Sequence, residues 1–286
     1  MPRVTIGVPV FNGAALIGEC LENLAQQTFN DFEVVISDNA STDNTMEICE
    51  KFAQKDARFR VIHQATTSTA IQNFVAVRNA AKSPLYMWRA FDDLSTANYI
   101  EALVAVHDNE PNISLAVPKI KQIFGVSMRE RHLNYHKALN GPTVLKLLQR
   151  MLQMKAGWFY GLWRHDAASM AIDEVFSEFP DDWAADYLAL FHAALHGGIS
   201  GTNDCTFSHR LITEVRGYIP RPKPCFDEMV DRNRRYSLTC QKLLDGTGFS
   251  ATEAMFIRTY IPFFTNRCSH RGKRVAQAAF RKMRGI

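Results

Sequence analysis

The sequence predicts an α/β fold, a mostly parallel sheet flanked by helices and followed by a helical carboxyl-terminal extension. Two observations predict it. Strand-like runs rich in β-branched residues alternate with segments of helical apolar spacing from Val4 to about Pro118, the pattern of a sheet covered on both faces. Beyond Pro118 the alternation fades and helix-length stretches dominate.

Val4 to Val10 and Glu33 to Ser37 are the first two strands, and Leu16, Ile17, Cys20, Leu21 and Leu24 between them give a helix one apolar face. Ser41, Thr42 and Asp43 are helix-capping types, and Met46, Ile48, Cys49 and Phe52 follow at helical spacing before the strand Phe59 to His63. A helix through about Ile71 to Ala81 leads to a strand at Leu85 to Phe91, and a helix near Ala97 to His107 leads to one at Ile113 to Val117. Helices are then expected near Thr143 to Met154, Asp182 to Leu195, Phe226 to Leu244 and Thr252 to Tyr260.

Composition narrows the class. With 47% hydrophobic and 22% charged residues, the chain is an ordinary globular protein rather than a disordered or fibrous one. Its six cysteines form no CxxC pair and none has a neighbour at zinc-ligand spacing, so they read as reduced, mostly buried thiols. A strand begins almost at once, leaving no room for a secretory leader, and no apolar stretch approaches the roughly 20 residues needed to cross a bilayer. A cytoplasmic protein is expected.

The net charge of +4 is unevenly placed. Between Asn266 and Ile286 stand Arg267, Arg271, Lys273, Arg274, Arg281, Lys282 and Arg284 with no acid. On a helix, Val275, Ala278, Ala279 and Met283 would lay a thin apolar stripe beside them, which suits peripheral adsorption to an anionic membrane surface. A solvated tail or a helix packed on the body is the equal alternative. Among its basic residues the tail carries a single Phe, Tyr or Trp, Phe280, too sparse an aromatic pattern to point to nucleic acid as a partner.

In parallel sheets ligands sit beyond the carboxyl ends of strands, so the residues just after each strand matter most. Pro9, Phe11 and Asn12 follow the first strand and Asp38 ends the second, so their polar groups should face one crevice. A Phe11 ring stacked on a base would contribute about 1–3 kcal/mol, and Asp38 would accept a base N–H. Taken alone, Phe11 reads more readily as a core residue and Asp38 as a turn former. Asp92 and Asp93 follow the fourth strand, and adjacent carboxylates there suit Mg²⁺ or Mn²⁺ shared with a substrate diphosphate. They also suit the cap of a following helix.

The joint pattern, VTIGVPVFNG, a helix, then FEVVISDNASTDNT, resembles the opening of family 2 glycosyltransferases of the bacterial surface-polysaccharide type, which have the Rossmann-like GT-A fold. The resemblance extends through Asn73, Asn79 and MWRAFDDLSTANYIE to about Pro118, with weaker echoes to about Gly198. It implies a nucleotide site of Pro9, Phe11, Asn12, Asp38 and Asn73, with Asp92 at the ribose or diphosphate and Asp93 as ligand of Mn²⁺ or Mg²⁺. The departure from the family is Ala90, which stands where many members carry the first acid of the motif.

The resemblance also implies a catalytic base about eleven residues ahead of a glycine. Asp186 precedes Gly197 by that interval, Ala185 stands where the family has Glu, and Asp182 or Asp181 is the competitor. His209 falls where some related enzymes supply a further metal ligand, although a lone histidine beside a strand is commonly just hydrogen-bonded. The implied organisation is a nucleotide-sugar half over residues 1–118, an acceptor half of the same domain over 119–215, and a helical region with the basic tail over 216–286.

The expected activity is therefore metal-dependent, inverting transfer of a sugar from a UDP, GDP or dTDP donor to a hydroxyl of a glycan or lipid-linked acceptor. One rival is a polyprenyl-phosphate glycosyltransferase, and another is a catalytically silent nucleotide-sugar or glycan-binding protein. An NAD-dependent oxidoreductase would want a G-x-G-x-x-G turn after the first strand, where this chain has Phe11-Asn12-Gly13.

Overall fold

The computed structural model describes residues 1–125, 128–138, 143–211, 225–269, 276–277 and 279–280. Packing divides the chain into two compact units. The first comprises Met1–Lys137, Gly157–Met170 and Gly197–Tyr218, and the second Ala138–Ala156, Ala171–His196 and Ile219–Ile286.

The first unit holds a nine-stranded sheet. Strands β1 (Val4–Val10), β2 (Phe32–Asp38), β3 (Phe59–His63) and β4 (Leu85–Trp88) lie side by side in the order β3-β2-β1-β4, all parallel. Helices α1 (Ile17–Ala25), α2 (Thr45–Lys55) and α3 (Ala70–Asn79) are the crossovers. Every residue of β1 is buried, as expected of a strand covered on both faces. The helix-flanked sheet predicted by alternation is present.

Gly7 is required here by close approach. A Cβ at that position would come within 2.2 Å of the Tyr86 hydroxyl and 2.8 Å of Val77, so the bare backbone lets α3 lie against β1. Tyr86, Trp88, Phe159 and Trp163 then form a buried aromatic cluster, with Trp88 stacked on Phe159 at 4.8 Å. Trp158 and Trp163 are fully buried, their indole N–H groups donating to the Pro118 and Phe159 carbonyls.

The rest of the sheet departs from the expected picture. Strand β5 is only Leu94–Ser95, α4 spans Tyr99–Asn109, and β6 runs Leu115–Phe124, seven residues past its expected end at Val117. Strands β7 (Arg129–Leu133), β8 (Leu162–Arg164) and β9 (Ile199–Leu211) complete it. β8 is antiparallel to both β4 and β6, while β9 lies parallel to β6 and antiparallel to β5.

The second unit is helical. It contains α5 (Thr143–Gln153), the later part of α6 (His165–Glu178), α7 (Ala185–His196), α8 (Phe226–Asp245) and α9 (Ala251–Ser269). Four of these were expected; α6 was not. α9 also continues beyond Tyr260 through Pro262, whose missing N–H removes one helical bond without ending the helix. Phe179, Leu190, Phe191, Tyr236, Ile257 and Phe264 are buried in this unit.

Arg267, the first basic residue of the tail, donates to the Met151 and Met154 carbonyls at the end of α5, a favourable place for a cation. The other six basic residues of the proposed membrane-binding tail, with Val275, Ala278 and Met283, lie outside the described residues. Among the described residues no helix is long and apolar enough to cross a membrane.

Candidate active site

The site begins with strand order. The chain moves from β1 outward to β2 and β3 and then returns to β4 on the other side of β1. That reversal opens a crevice beyond the carboxyl ends of β1 and β4. A cleft of about 380 Å³ lies there, its wall including Pro9, Phe11, Asn39, Asn73, Ala90, Asp92 and Tyr160.

Phe11 is 43% exposed, which removes it from the core and leaves its ring as a wall of the cleft. Asn73 is buried on α3, and its Nδ2 donates to both the Val10 carbonyl at 3.4 Å and the Ser37 carbonyl at 3.1 Å. One amide thus clasps the ends of two neighbouring strands. Its Oδ1 is buried without a hydrogen-bond partner, in a residue that lines the cleft. An acceptor left so is costly unless a ligand donor meets it.

The loops after β1 and β2 are sewn together. Asn12, at φ 49°, donates its backbone N–H to the Ser41 hydroxyl at 2.9 Å, and its Oδ1 accepts from the Thr42 N–H at 2.8 Å. Asp38 is fully buried, and its carboxylate accepts from the backbone N–H and hydroxyl of Ser41. Of the two residues, neither lines the cleft; Asn39, one step further on, does. Asp38 therefore shapes the turn that presents Asn39.

Asp92 and Asp93 lie in the turn joining β4 to β5, closed by the Asp93 N–H bonding to the Ala90 carbonyl at 3.2 Å. Asp92 faces the cleft, whereas Asp93 is buried at 1% exposure. Burial pushes both carboxyls upward in pKa, and for Asp93 the neighbouring Asp92 charge adds to it. Two residues with no obvious signal in the sequence offset this. Arg210 on β9 gives its backbone N–H to Asp93 Oδ1 at 2.6 Å, its Nε to the Asp92 carbonyl, and its Nη1 to Glu19 at 2.6 Å.

Arg89, fully buried just after β4, donates Nη2 to the Ser95 hydroxyl at 2.9 Å and packs over the Tyr99 and Phe207 rings at 5.1 and 5.2 Å. Its charge opposes the upward shift of Asp93. Sequence reasoning missed both arginines, because Arg210 itself stands on β9 and Arg89 meets Ser95 on β5 and Phe207 on β9, strands the pattern did not reveal.

His209 precedes Arg210 on β9, and its ring lies 6.3 Å from that of Tyr160, a wall of the cleft, and 6.2 Å from that of Phe207. Burial lowers its pKa, so the ring is neutral, and its Nδ1 is buried without a hydrogen-bond partner. Two adjacent carboxylates whose charges repel fit a divalent cation by their chemistry. His209, expected as a further ligand, is not brought together with them: the three do not form a group with ligand atoms within 4.8 Å of one another.

Asp186 and Asp182 belong to the second unit. Asp186 stands in the first turn of α7, where burial pushes its pKa up to about 6 against hydrogen bonds from its own and the Tyr187 N–H groups. The turn before it is held by Asp181, which accepts from the Trp183 N–H at 2.9 Å and pairs with Arg232 at 2.9 Å. Ala184 follows at φ 55°, its carbonyl accepting from the Tyr236 hydroxyl at 3.1 Å. Asp182 contributes a backbone carbonyl to the Ala185 N–H.

A family model described as Glycosyl transferase family 2 matches residues 5–168. Among curated proteins, the chain is 34% identical over 100 residues to the glycosyltransferase GlyG of Streptococcus pneumoniae serotype 4, covering 35% of this chain and 33% of that one. It is 30% identical over 113 residues to the uncharacterized glycosyltransferase EpsJ of Bacillus subtilis, covering 40% and 33%. The matched stretch spans about a third of the length of these relatives.

Among solved structures, TarS 1-349 of S. aureus in complex with UDP-GlcNAc superposes with a TM-score of 0.67 at 17% identity, over 93% of this chain and 73% of that one. The mannosyltransferase PcManGT from Pyrobaculum calidifontis, in complex with GDP-Man and Mn²⁺, gives 0.56 at 17% identity, over 97% and 75%. These two likenesses concern the fold.

Proposed function

Because the chain belongs to glycosyl transferase family 2, we propose that it transfers a sugar from a nucleoside-diphosphate donor to a hydroxyl of a glycan or lipid-linked acceptor, with inversion and with Mn²⁺ or Mg²⁺. The observation that carries the proposal is the cleft at the strand-order reversal, with Phe11 as a stacking wall and Asp92 at its edge. Solved structures of the same fold hold UDP-GlcNAc or GDP-Man with Mn²⁺, which supports a nucleotide sugar as donor.

In this reading Pro9, Phe11 and Asn39 receive the base, Asp38 and Asn12 fix the loops that present them, and Asn73 Oδ1 accepts a donor hydroxyl or N–H. Asp93 would hold the cation, with Asp92 beside it at the ribose or diphosphate; the cation when bound neutralises charge on the diphosphate leaving group. Arg210 and Arg89 keep the acidic pair in place while it is being desolvated.

Asp186 takes the proton from the acceptor hydroxyl as that oxygen attacks the anomeric carbon and the sugar–diphosphate bond breaks. A pKa of about 6 suits a base that must be ionised near neutrality yet still attract a proton. The direct test is turnover against UDP, GDP and dTDP sugars with Mn²⁺ titrated in. Asp93→Ala is expected to lose at least 100-fold in transfer, and normal turnover by that variant would overturn the metal assignment.

A further inference from the structure

The second unit contains a group that the proposed transfer does not use. His192 and His196 stand one helical turn apart on α7, so both imidazoles project from the same face. Their rings lie 4.3 Å apart, centroid to centroid. Glu174, on α6, reaches the same place, with its Oε2 3.2 Å from His192 Nε2. Among the described residues this is the one group of three potential ligands whose ligand atoms all fall within 4.8 Å of one another.

We propose that Glu174, His192 and His196 form a binding site for a Zn²⁺-class cation that fastens α6 to α7. Bonds of about 2.0–2.1 Å at a tetrahedral centre place two ligand atoms about 3.3 Å apart, which is close to the Glu174–His192 separation. An H-x₃-H pair from one helix with a carboxylate from another is a nitrogen-rich, borderline-soft set. It favours Zn²⁺ over Mg²⁺ or Mn²⁺, which want oxygen ligands.

The setting supports occupancy. His192 is 1% exposed, and burial with the neighbouring His196 lowers its pKa to about 4, so the ring is neutral and available to ligate at pH 7. Glu174 is about half exposed and His196 is exposed, which leaves an entry path and room for a water as fourth ligand. Three protein ligands with an open fourth position is a recognised zinc arrangement. The clip would steady α7, whose first turn carries Asp186.

The experiment is calorimetric titration of the full chain with Zn²⁺, after chelator treatment, in parallel with His196→Ala, Glu174→Gln and Asp93→Asn. The expected result is one equivalent bound in the unaltered chain and in Asp93→Asn, with at least a tenfold loss of affinity in His196→Ala and in Glu174→Gln. His196 is exposed, so its truncation leaves the fold intact, which circular dichroism checks. No stoichiometric uptake, or uptake indifferent to His196→Ala, would overturn the site and leave a hydrogen-bonded Glu–His pair. Uptake lost only in Asp93→Asn would likewise overturn it, by moving the ion to the acidic pair.

Discussion

Asp186 carries two opposed pH dependences. As a base it must be ionised, so the transfer rate should rise with pH through about 6 and level above it. Stability should run the other way. Its folded pKa lies above the usual 3.8, so the folded state binds the proton more tightly. The associated stability is complete below about pH 4 and is lost as pH rises through about 6. Asp186→Asn is therefore expected to retain donor binding and lose 10²- to 10⁴-fold in transfer. It should also gain about 1–2 kcal/mol over the unaltered chain in denaturant melts at pH 8. Unchanged transfer by that variant would leave two readings that Asp182→Asn separates: loss of transfer there would move the base to Asp182, and a rate indifferent to both substitutions would favour an already anionic polyprenyl-phosphate acceptor. At this scale the sequence was a partial guide. The acidic pair and Phe11 could be read from their place after strands, whereas Arg89 and Arg210 could not. Their meaning depends on Ser95, Asp92 and Asp93 meeting them in space, the last two across more than 115 residues of chain.

The elements that were legible are those with a repeating pattern long enough to recognise. β1, with seven buried residues, and α1, with Ile17, Cys20, Leu21 and Leu24 inward, announce themselves by period. β5 has two residues and β8 three, too few to show any period, and the five residues of β7 are almost wholly polar or charged and mostly exposed. The packing of α3 on β1 gives a prediction at this scale. Gly7→Ala would drive a methyl into Tyr86 and Val77, and a cost of about 1–3 kcal/mol is expected in equilibrium unfolding. Asn73→Ala releases the clasp between β1 and β2, and the lost bonds to Val10 and Ser37 should raise the donor KM about tenfold with a smaller effect on kcat. Equal donor KM values for Asn73→Ala and the unaltered chain would show that the clasp does not shape the cleft.

For the molecule as a whole, a donor that binds only the folded chain must raise its stability by mass action. At 100 times its Kd, the matching nucleotide sugar with Mn²⁺ should add about 2.7 kcal/mol, a Tm rise of about 5 °C or more. A panel in which no nucleotide sugar shifts Tm would count against the donor site. The division into two compact units was not legible, since each is assembled from three separated stretches of chain. It does have a practical reading through the cysteines. Cys20, Cys49, Cys205, Cys240 and Cys268 are buried thiols, and only Cys225, at the start of α8, is exposed. A thiol reagent applied to the native chain should therefore modify one site quickly and the other five only when the structure opens. Three of those five lie in the first unit and two in the second. The order in which they become modified is a mass-spectrometric record of whether the two units open together or in turn, written without introducing a single substitution.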